Sequence, residues 1–367
     1  MGRGTGQVSA MAQSPPWQPL SAFARREWHE ISRVNSSPRP WQMPFVAGLT
    51  SAAPVALGLW LDAFAQGLMA ALGTMVFVYL TNARMERRLL TLMTVSFAIT
   101  ACFALGLIAA QIHFAPVPVI IAVGTLVSMG CRYLRQGPPA AMFPVMACAI
   151  GLFSRTPWEH VAEHVGILFL GAMWASATGF FYSLYMLARF SPEPEKPVPA
   201  PDFLVLVFEP VMIGLAAGLA LACALALGLE KPFWAPVSAI AVIQAASLRT
   251  MWTRKVHRIV GTGLGVFLAW GILSLDLTHG ALVVMIGVLT FVIEVAVVRH
   301  YGFATIFITP LAILLGQAQA GGGMSAGAIT LARLEDTVVG CVAALAVGML
   351  MHWPRLREAA VRRLSRA

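Results

Sequence analysis

Two short segments, RIVGTGLG and RLEDTVVG, place an arginine, a threonine and a glycine at the same spacing of i, i+4 and i+7. This spacing puts the side chains on one face of a helix. A guanidinium can bind a carboxylate through two parallel hydrogen bonds, and small neighbours let a second group approach closely. The spacing therefore predicts two anion-binding faces, made by Arg258, Gly261, Thr262 and Gly265 and by Arg333, Asp336, Thr337 and Gly340.

A structural role for the same residues stays open. Arg258 could be a cytoplasmic anchor beside a helix-packing groove, since membrane helices carry basic residues at that surface. Arg333 could form an ion pair with Asp336 at the outer start of a helix, near the level of the lipid headgroups. In both interpretations the glycines serve helix packing, at Gly261, Gly265 and Gly340.

Two carboxylates are candidates for proton coupling. Glu294 falls inside an apolar segment, and acidic residues within membrane spans often mark proton or ion pathways. Asp336 is the second candidate and could hold or release Arg333. For Glu294, a structural ion pair with Arg299, Arg258 or another basic residue is the alternative.

No segment predicts catalysis. HVAEH, residues 160–164, matches the HxxEH pattern of zinc peptidases, but a zinc site would need a third protein ligand and a folded cleft. The glycines of RIVGTGLG follow no strand and lack the phosphate-loop lysine. The five cysteines are scattered in or beside apolar runs. We therefore expect no enzyme activity, no metal, no cofactor and no nucleic-acid partner.

The composition defines the elements that must position these residues. Of 367 residues, 58% are hydrophobic and 11% charged, and the mean hydropathy is +0.77, which is typical of a polytopic membrane protein. We expect an all-α fold of about twelve spans, because apolar runs of helical length recur along the chain. The predicted spans are roughly 43–61, 67–81, 89–110, 116–131, 137–153, 162–187, 206–229, 232–247, 259–275, 281–298, 301–316 and 330–352.

The basic residues predict the sidedness. If the N-terminus is cytoplasmic, only Arg155, Lys231 and Arg333 fall on the opposite side. The positive-inside rule then places both termini in the cytoplasm.

The two halves resemble each other in the order of their spans and basic loops, which predicts two parallel six-helix repeats. The predicted organisation has five parts: a cytoplasmic tail with a possible interfacial helix (1–42), a first membrane half (43–190), a Pro-rich linker (191–202), a second membrane half (203–352) and a basic tail (353–367).

KPFWAPVSAIAVIQ (231–244), followed by a basic loop, RIVGTGLG and RLEDTVVG, resembles the second membrane half of the fusaric acid resistance protein-like family. The likeness covers about 205–352 and extends to the first half by architecture alone. The sequence resembles compact relatives, because it lacks the large cytoplasmic domain of longer members. Besides the two arginine motifs, the resemblance carries over to Trp234, Pro236 and Gln244.

The resemblance implies export of aromatic carboxylic acids from the bacterial cytoplasm, driven by the proton motive force. It also implies a periplasmic membrane fusion protein and an outer-membrane channel as partners; a homo-oligomer stays open. In this hypothesis Arg258, Thr262, Arg333, Thr337, Trp234 and Gln244 bind the substrate, with Arg258 on the inner side and Arg333 on the outer side. A passive organic-anion channel and a non-transporting membrane scaffold are the alternatives.

Overall fold

The structure is a computed structural model, and it describes residues 40–81, 83–112, 116–189, 202, 204–244, 248–275, 277–316 and 325–353. Nearly all of the predicted N-terminal tail and basic tail lies outside the described residues, as does nearly all of the Pro-rich linker.

The described part is helical throughout and contains no strand, which confirms the predicted all-α class. Short turns of 3₁₀-helix span Thr74–Tyr79 and Trp158–His160, and a π-helical turn spans Leu204–Phe208. The α-helices are α1 (Gln42–Trp60), α2 (Phe64–Gly73), α3 (Met85–Gln111), α4 (Pro116–Tyr133), α5 (Met142–Phe153), α6 (Val161–Arg189), α7 (Glu209–Ala226), α8 (Trp234–Ile243), α9 (Leu248–Leu273), α10 (His279–Arg299), α11 (Tyr301–Gly316) and α12 (Ala326–Met351).

Among the described residues, 8 helices are long and apolar enough to cross a membrane: α1, α3, α4, α6, α7, α9, α10 and α12. The other apolar helices are shorter, and α8 has 10 residues. At 1.5 Å per residue, such a helix covers about 15 Å, half of a hydrocarbon core of about 30 Å. The chain is therefore a membrane protein whose described part is helical, with several short helices among membrane-length ones.

Most predicted boundaries lie within a few residues of those observed, and α11 spans the predicted 301–316. The largest difference is at α9, which begins at Leu248. The basic segment 248–258, predicted as a loop, is the first part of this helix, because a helix can continue past the point where its sequence stops being apolar.

The helices pack in one pattern in α1–α6 and in α7–α12. In the first set α3 packs on α5 and on α6, and α2 packs on α6; in the second set α9 packs on α11 and on α12, and α8 packs on α12. Between the sets, α1 packs on α10 and α4 packs on α7. The first helix of each set therefore packs on the fourth helix of the other set.

Close glycine contacts form the α1–α10 and α4–α7 crossings between the sets. A Cβ added to Gly48 of α1 would lie 2.7 Å from the carbonyl oxygen of Gly287 in α10. A Cβ added to Gly124 of α4 would lie 3.1 Å from the Cα of Gly214 in α7. Small residues permit such approaches between membrane helices. Arg132 and Glu209 add an ion pair of 2.8 Å between α4 and α7.

Candidate anion site

Helix α8 is buried along its whole length. All ten of its residues, from Trp234 to Ile243, are buried, and it packs against α5, α7, α9 and α12. None of these residues is charged, so the helix can be enclosed without placing a charge in the interior. The enclosed helix holds the Trp234 ring inside the protein, where a side chain of α12 meets it.

Helix α12 lies directly on α8. A Cβ added to Gly340 would collide with the carbonyl oxygen of Ala235, so this approach requires the absence of a side chain. Two turns earlier on α12, the guanidinium of Arg333 lies over the Trp234 ring, with Cζ 3.9 Å from the ring centroid. This is cation–π geometry. Arg333 is 2% exposed, so its charge is enclosed by the protein.

Helix α9 brings the second arginine to α12. Cβ atoms added to Gly261 and Gly265 would each lie 2.6 Å from carbonyl oxygens of α11, those of Gly302 and Ile306. Arg258 precedes Gly261 by one turn on the same face, and it is 3% exposed. The close packing of α9 on α11 and α12 therefore buries the Arg258 side chain as well.

The packing of Met251 on Gly348 sets the register of α9 against α12. If the helices run antiparallel from that contact, Arg258 and Arg333 are offset by roughly 12 Å along the helix axes. Both side chains are long, and the two guanidinium charges are close enough to repel each other. Tyr301 and Asp336 also interact electrostatically with Arg333. The two motifs, which the sequence predicted on opposite sides of the membrane, thus meet inside one group of helices.

Several donors in this group have no acceptor among the described residues. Arg258 donates from Nη1 to the Tyr301 hydroxyl at 3.0 Å, while its Nε finds no partner. Nε and Nη1 of Arg333 have none, and neither does the Thr262 hydroxyl. Buried polar groups are nearly always hydrogen-bonded in native proteins. A bound anion could accept hydrogen bonds from these unsatisfied guanidinium N–H groups.

Asp336 lies one turn after Arg333 and is 0% exposed. Neither of its carboxylate oxygens accepts a hydrogen bond from the described part of the chain, so the alternative of a hydrogen-bonded Arg333–Asp336 ion pair is not seen. The physical reason is that the Arg333 guanidinium is turned to the Trp234 ring. Thr337 is also buried, and its hydroxyl donates to the carbonyl oxygen of Arg333 at 2.8 Å.

The remaining predicted residues lie around this group. Gln244 caps the end of α8, and its amide Nε2 is buried without an acceptor among the described residues. Glu294 is buried at 3% exposure on α10, which is not one of the three helices that carry the arginines and Trp234. Tyr301, the first residue of α11, was not predicted as a site residue. The feature that could have indicated it is its position directly after two basic residues at a helix start, in VVRHYGF.

The corresponding position in α1–α6 is apolar. Helices α2, α3, α5 and α6, which hold the same places as α8, α9, α11 and α12, surround a small cavity of about 10 Å³. Its lining includes Leu72, Ile99, Phe103, Ile150 and Leu168. The same four-helix packing therefore forms without any charged residue at its centre.

The HVAEH segment begins α6 and makes local contacts. His160 Nδ1 lies 3.0 Å from Glu163 Oε2, and His164 Nδ1 lies 3.1 Å from the Thr156 hydroxyl. Within the described ranges, no three His, Cys, Asp or Glu side chains are grouped as a metal site would require.

Comparison with known proteins agrees with the resemblance seen in the sequence. Residues 216–347 match the family model described as fusaric acid resistance protein-like. A segment of 132 residues, 36% of this chain, is 34% identical to a protein of Bacillus subtilis called uncharacterized membrane protein YvaC. The match covers 21% of that protein, about a fifth of its length. No solved structure matches this chain. The matched region contains Arg258, Arg333, Trp234 and Asp336, and over this region the likeness to the fusaric acid resistance protein-like family is confirmed.

Proposed function

We propose that this protein is a membrane transporter that exports amphipathic organic anions, with aromatic carboxylic acids as the favoured class. The single observation that carries the proposal is the pair of buried arginines, Arg258 and Arg333, whose guanidinium groups keep N–H donors without acceptors among the described residues. The fusaric acid resistance protein-like match of residues 216–347 supports a transport function for the same region.

Electrostatics favours a ligand between or beside these arginines. Burying a charge without a partner is strongly unfavourable, by about 3–5 kcal/mol where one member of a buried pair is lost. Arg258 and Arg333 also repel each other. A carboxylate would reduce both penalties, since it accepts from the N–H groups that lack acceptors among the described residues and adds its negative charge to that of Asp336.

The surroundings favour an aromatic body on that carboxylate. The Arg333 guanidinium already lies over the Trp234 ring, and α8 is apolar apart from Ser238. A flat ring can pack against the indole while its carboxylate contacts the arginine, which combines stacking with a charge-assisted hydrogen bond. Thr262, Thr337 and Gln244 would supply further polar contacts to such a substrate.

A purely structural role for the two arginines is less consistent with the fold. The first set of helices builds the same packing around Ile99, Phe103 and Leu168. If that packing is stable with apolar side chains, the charges in the second set are not needed to hold the helices together. The shared pattern of contacts in α1–α6 and α7–α12 supports our proposal that the protein consists of two parallel six-helix repeats.

The coupling ion is proposed to be the proton, with Asp336 and Glu294 as its carriers. Asp336 is the stronger candidate because its carboxyl is buried next to Arg333 without a hydrogen bond from the described residues. We place the protein in a bacterial inner membrane with both termini in the cytoplasm. A periplasmic membrane fusion protein and an outer-membrane channel are the proposed partners for export across the cell envelope.

The test is accumulation of labelled aromatic acids in energised cells that express the protein, with and without an uncoupler. We expect lower accumulation than in control cells, and loss of the difference on uncoupling or in Arg333→Gln. Export that persists after uncoupling would instead indicate a passive channel. Equal accumulation with confirmed membrane expression would contradict transport and favour a membrane scaffold.

A further inference from the structure

An open groove runs along α1 where it faces α6 and α10. Its volume is about 420 Å³, and its lining includes Val46, Leu49, Ala53, Ala56 and Val283. These residues are apolar, and the small alanine side chains leave space above the surface of α1. The groove lies outside the candidate anion site, since none of the site's residues lines it.

Two polar residues of α6 mark the middle of the groove. The indole Nε1 of Trp174 donates to the carbonyl oxygen of Thr50 at 3.2 Å. The Thr50 hydroxyl contacts the Thr178 hydroxyl at 3.2 Å. Trp174 is nevertheless 45% exposed, so one side of its ring faces the groove. These contacts hold α1 and α6 together at one level and leave them apart elsewhere.

No corresponding groove lies between α7 and α12, the equivalent helices of the second set, in the described part of the chain. There α7 packs extensively along α12, whereas α1 and α6 meet over a short stretch. Apolar interiors are close-packed, and an unfilled space loses the van der Waals contacts of its lining. The groove in the first set therefore requires an occupant that the membrane can supply.

The dimensions fit one acyl chain. From Val46 to Ala56 the groove follows α1 for about 15 Å, which is half of a hydrocarbon core of about 30 Å. The lining begins four residues after Gln42, where α1 starts, and ends four residues before Trp60, where α1 ends, so the groove is centred on the middle of the helix. In our topology the Gln42 end faces the cytoplasm, so an acyl chain that enters the groove from that end belongs to a lipid of the cytoplasmic leaflet.

A positive charge and an interfacial aromatic residue lie beyond the Gln42 end of the groove. Arg189 is exposed and ends α6, eleven residues or three turns beyond Thr178, so it lies on the same face about 16 Å further along the helix. Trp41, exposed at the start of α1, is of the type that anchors at the headgroup level. A cation at this level attracts the phosphate of an anionic lipid.

We propose that the groove binds an anionic phospholipid of the cytoplasmic leaflet, with one acyl chain along α1 against Trp174 and the phosphate at Arg189. The lipid fills the space that α7 and α12 close in the second set. It would join α1 and α6 of the first set to α10 of the second.

The test uses quenching of tryptophan fluorescence by brominated lipids. The full chain is reconstituted in phosphatidylcholine vesicles that contain a small, increasing fraction of phosphatidylglycerol brominated on its acyl chain. Subtracting Trp174→Phe and Trp270→Phe from the wild type gives the separate contributions of Trp174 and Trp270. Trp270, on α9, is 55% exposed and lines no part of the groove, so it reports ordinary contact with lipid.

We expect half-quenching of the Trp174 contribution at a mole fraction about five-fold lower than for Trp270, because one cation favours the anionic headgroup. Arg189→Gln should abolish the difference without affecting the fold, since this side chain is exposed at a helix end. Ala53→Leu, which fills the groove, should abolish it too. Equal quenching of Trp174 and Trp270, or equal quenching of Trp174 by brominated phosphatidylcholine, would overturn the proposal. No transport is measured, so the outcome is independent of the proposed function.

Discussion

The guanidinium of Arg333 lies over the ring of Trp234, with the guanidinium carbon 3.9 Å from the centroid of the indole. The contact joins α12 to the buried start of α8, and it holds the planar charge of Arg333 against an apolar ring. The two N–H donors that Arg333 leaves unsatisfied are the basis of the proposed site.

Substitutions of Arg333 should distinguish the contribution of its positive charge from that of its planar shape. Arg333→Gln removes the charge, and we expect transport of an aromatic acid to fall at least about ten-fold, because a charge-assisted hydrogen bond contributes about 1.5–3 kcal/mol. Arg333→Lys keeps the charge but loses the planar group that stacks on Trp234, so it should restore only part of the activity. Initial rates of export measure this, with the exposed Arg299→Gln as the control. Equal loss in the control would refute the assignment.

Tyr301 should matter through Arg258. Tyr301→Phe removes the hydroxyl that accepts from Arg258 Nη1, which leaves a further buried donor unsatisfied. We expect transport to fall by about three- to ten-fold, corresponding to about 1 kcal/mol. Tyr133→Phe, at the exposed end of α4, is the matched control and should leave transport unchanged. If Tyr301→Phe behaves like Tyr133→Phe, the hydroxyl does not support the site.

Asp336→Asn tests the coupling. The substitution keeps the shape of the side chain and removes a carboxyl that makes no hydrogen bond with the described residues, so we expect the protein to insert and remain folded. Substrate binding should persist, while transport should no longer respond to an uncoupler. Glu294→Gln is the comparison, since it removes the second candidate. A variant Asp336→Asn that still loses transport on uncoupling would assign the coupling proton to another residue.

Gly340→Ala tests the contact that brings α12 to α8. The new Cβ would collide with the carbonyl oxygen of Ala235, so we expect destabilisation by about 1–3 kcal/mol through helix displacement. Gly263→Ala on α9 is the control, because its Cβ would meet nothing within 4 Å and alanine is the better helix former. The measurement is the thermal unfolding midpoint of both purified variants. An unchanged midpoint for Gly340→Ala would mean that this contact is loose.

The positions of most helices could be predicted from the sequence, because each apolar run is about as long as a helix and ends at a charged residue, a proline or a glycine. The sequence predicted α11 within the observed limits but not the start of α9, where residues 248–258 are polar and still helical. Hydropathy detects the part of a helix that is apolar, and it does not detect the continuation of the same helix beyond it.

The sequence also identified most residues of the candidate site, through the repeated spacing of Arg258 and Arg333. It could not give their neighbours. Spacing places side chains on one face of a helix, but only tertiary packing decides that this face meets Trp234 for Arg333 and Tyr301 for Arg258. The ion pair of Arg333 with Asp336, one of the two alternatives, is not present as a hydrogen-bonded contact, because the guanidinium lies over the Trp234 ring.

Equilibrium binding of a labelled aromatic carboxylate to the purified protein tests the central claim most directly. The proposed site predicts saturable binding by the wild type and by Arg299→Gln, and loss of that binding in both Arg258→Gln and Arg333→Gln when all four proteins are equally folded. Equal binding by all four would contradict the account, because the two buried arginines would then contribute nothing to recognition of the anion.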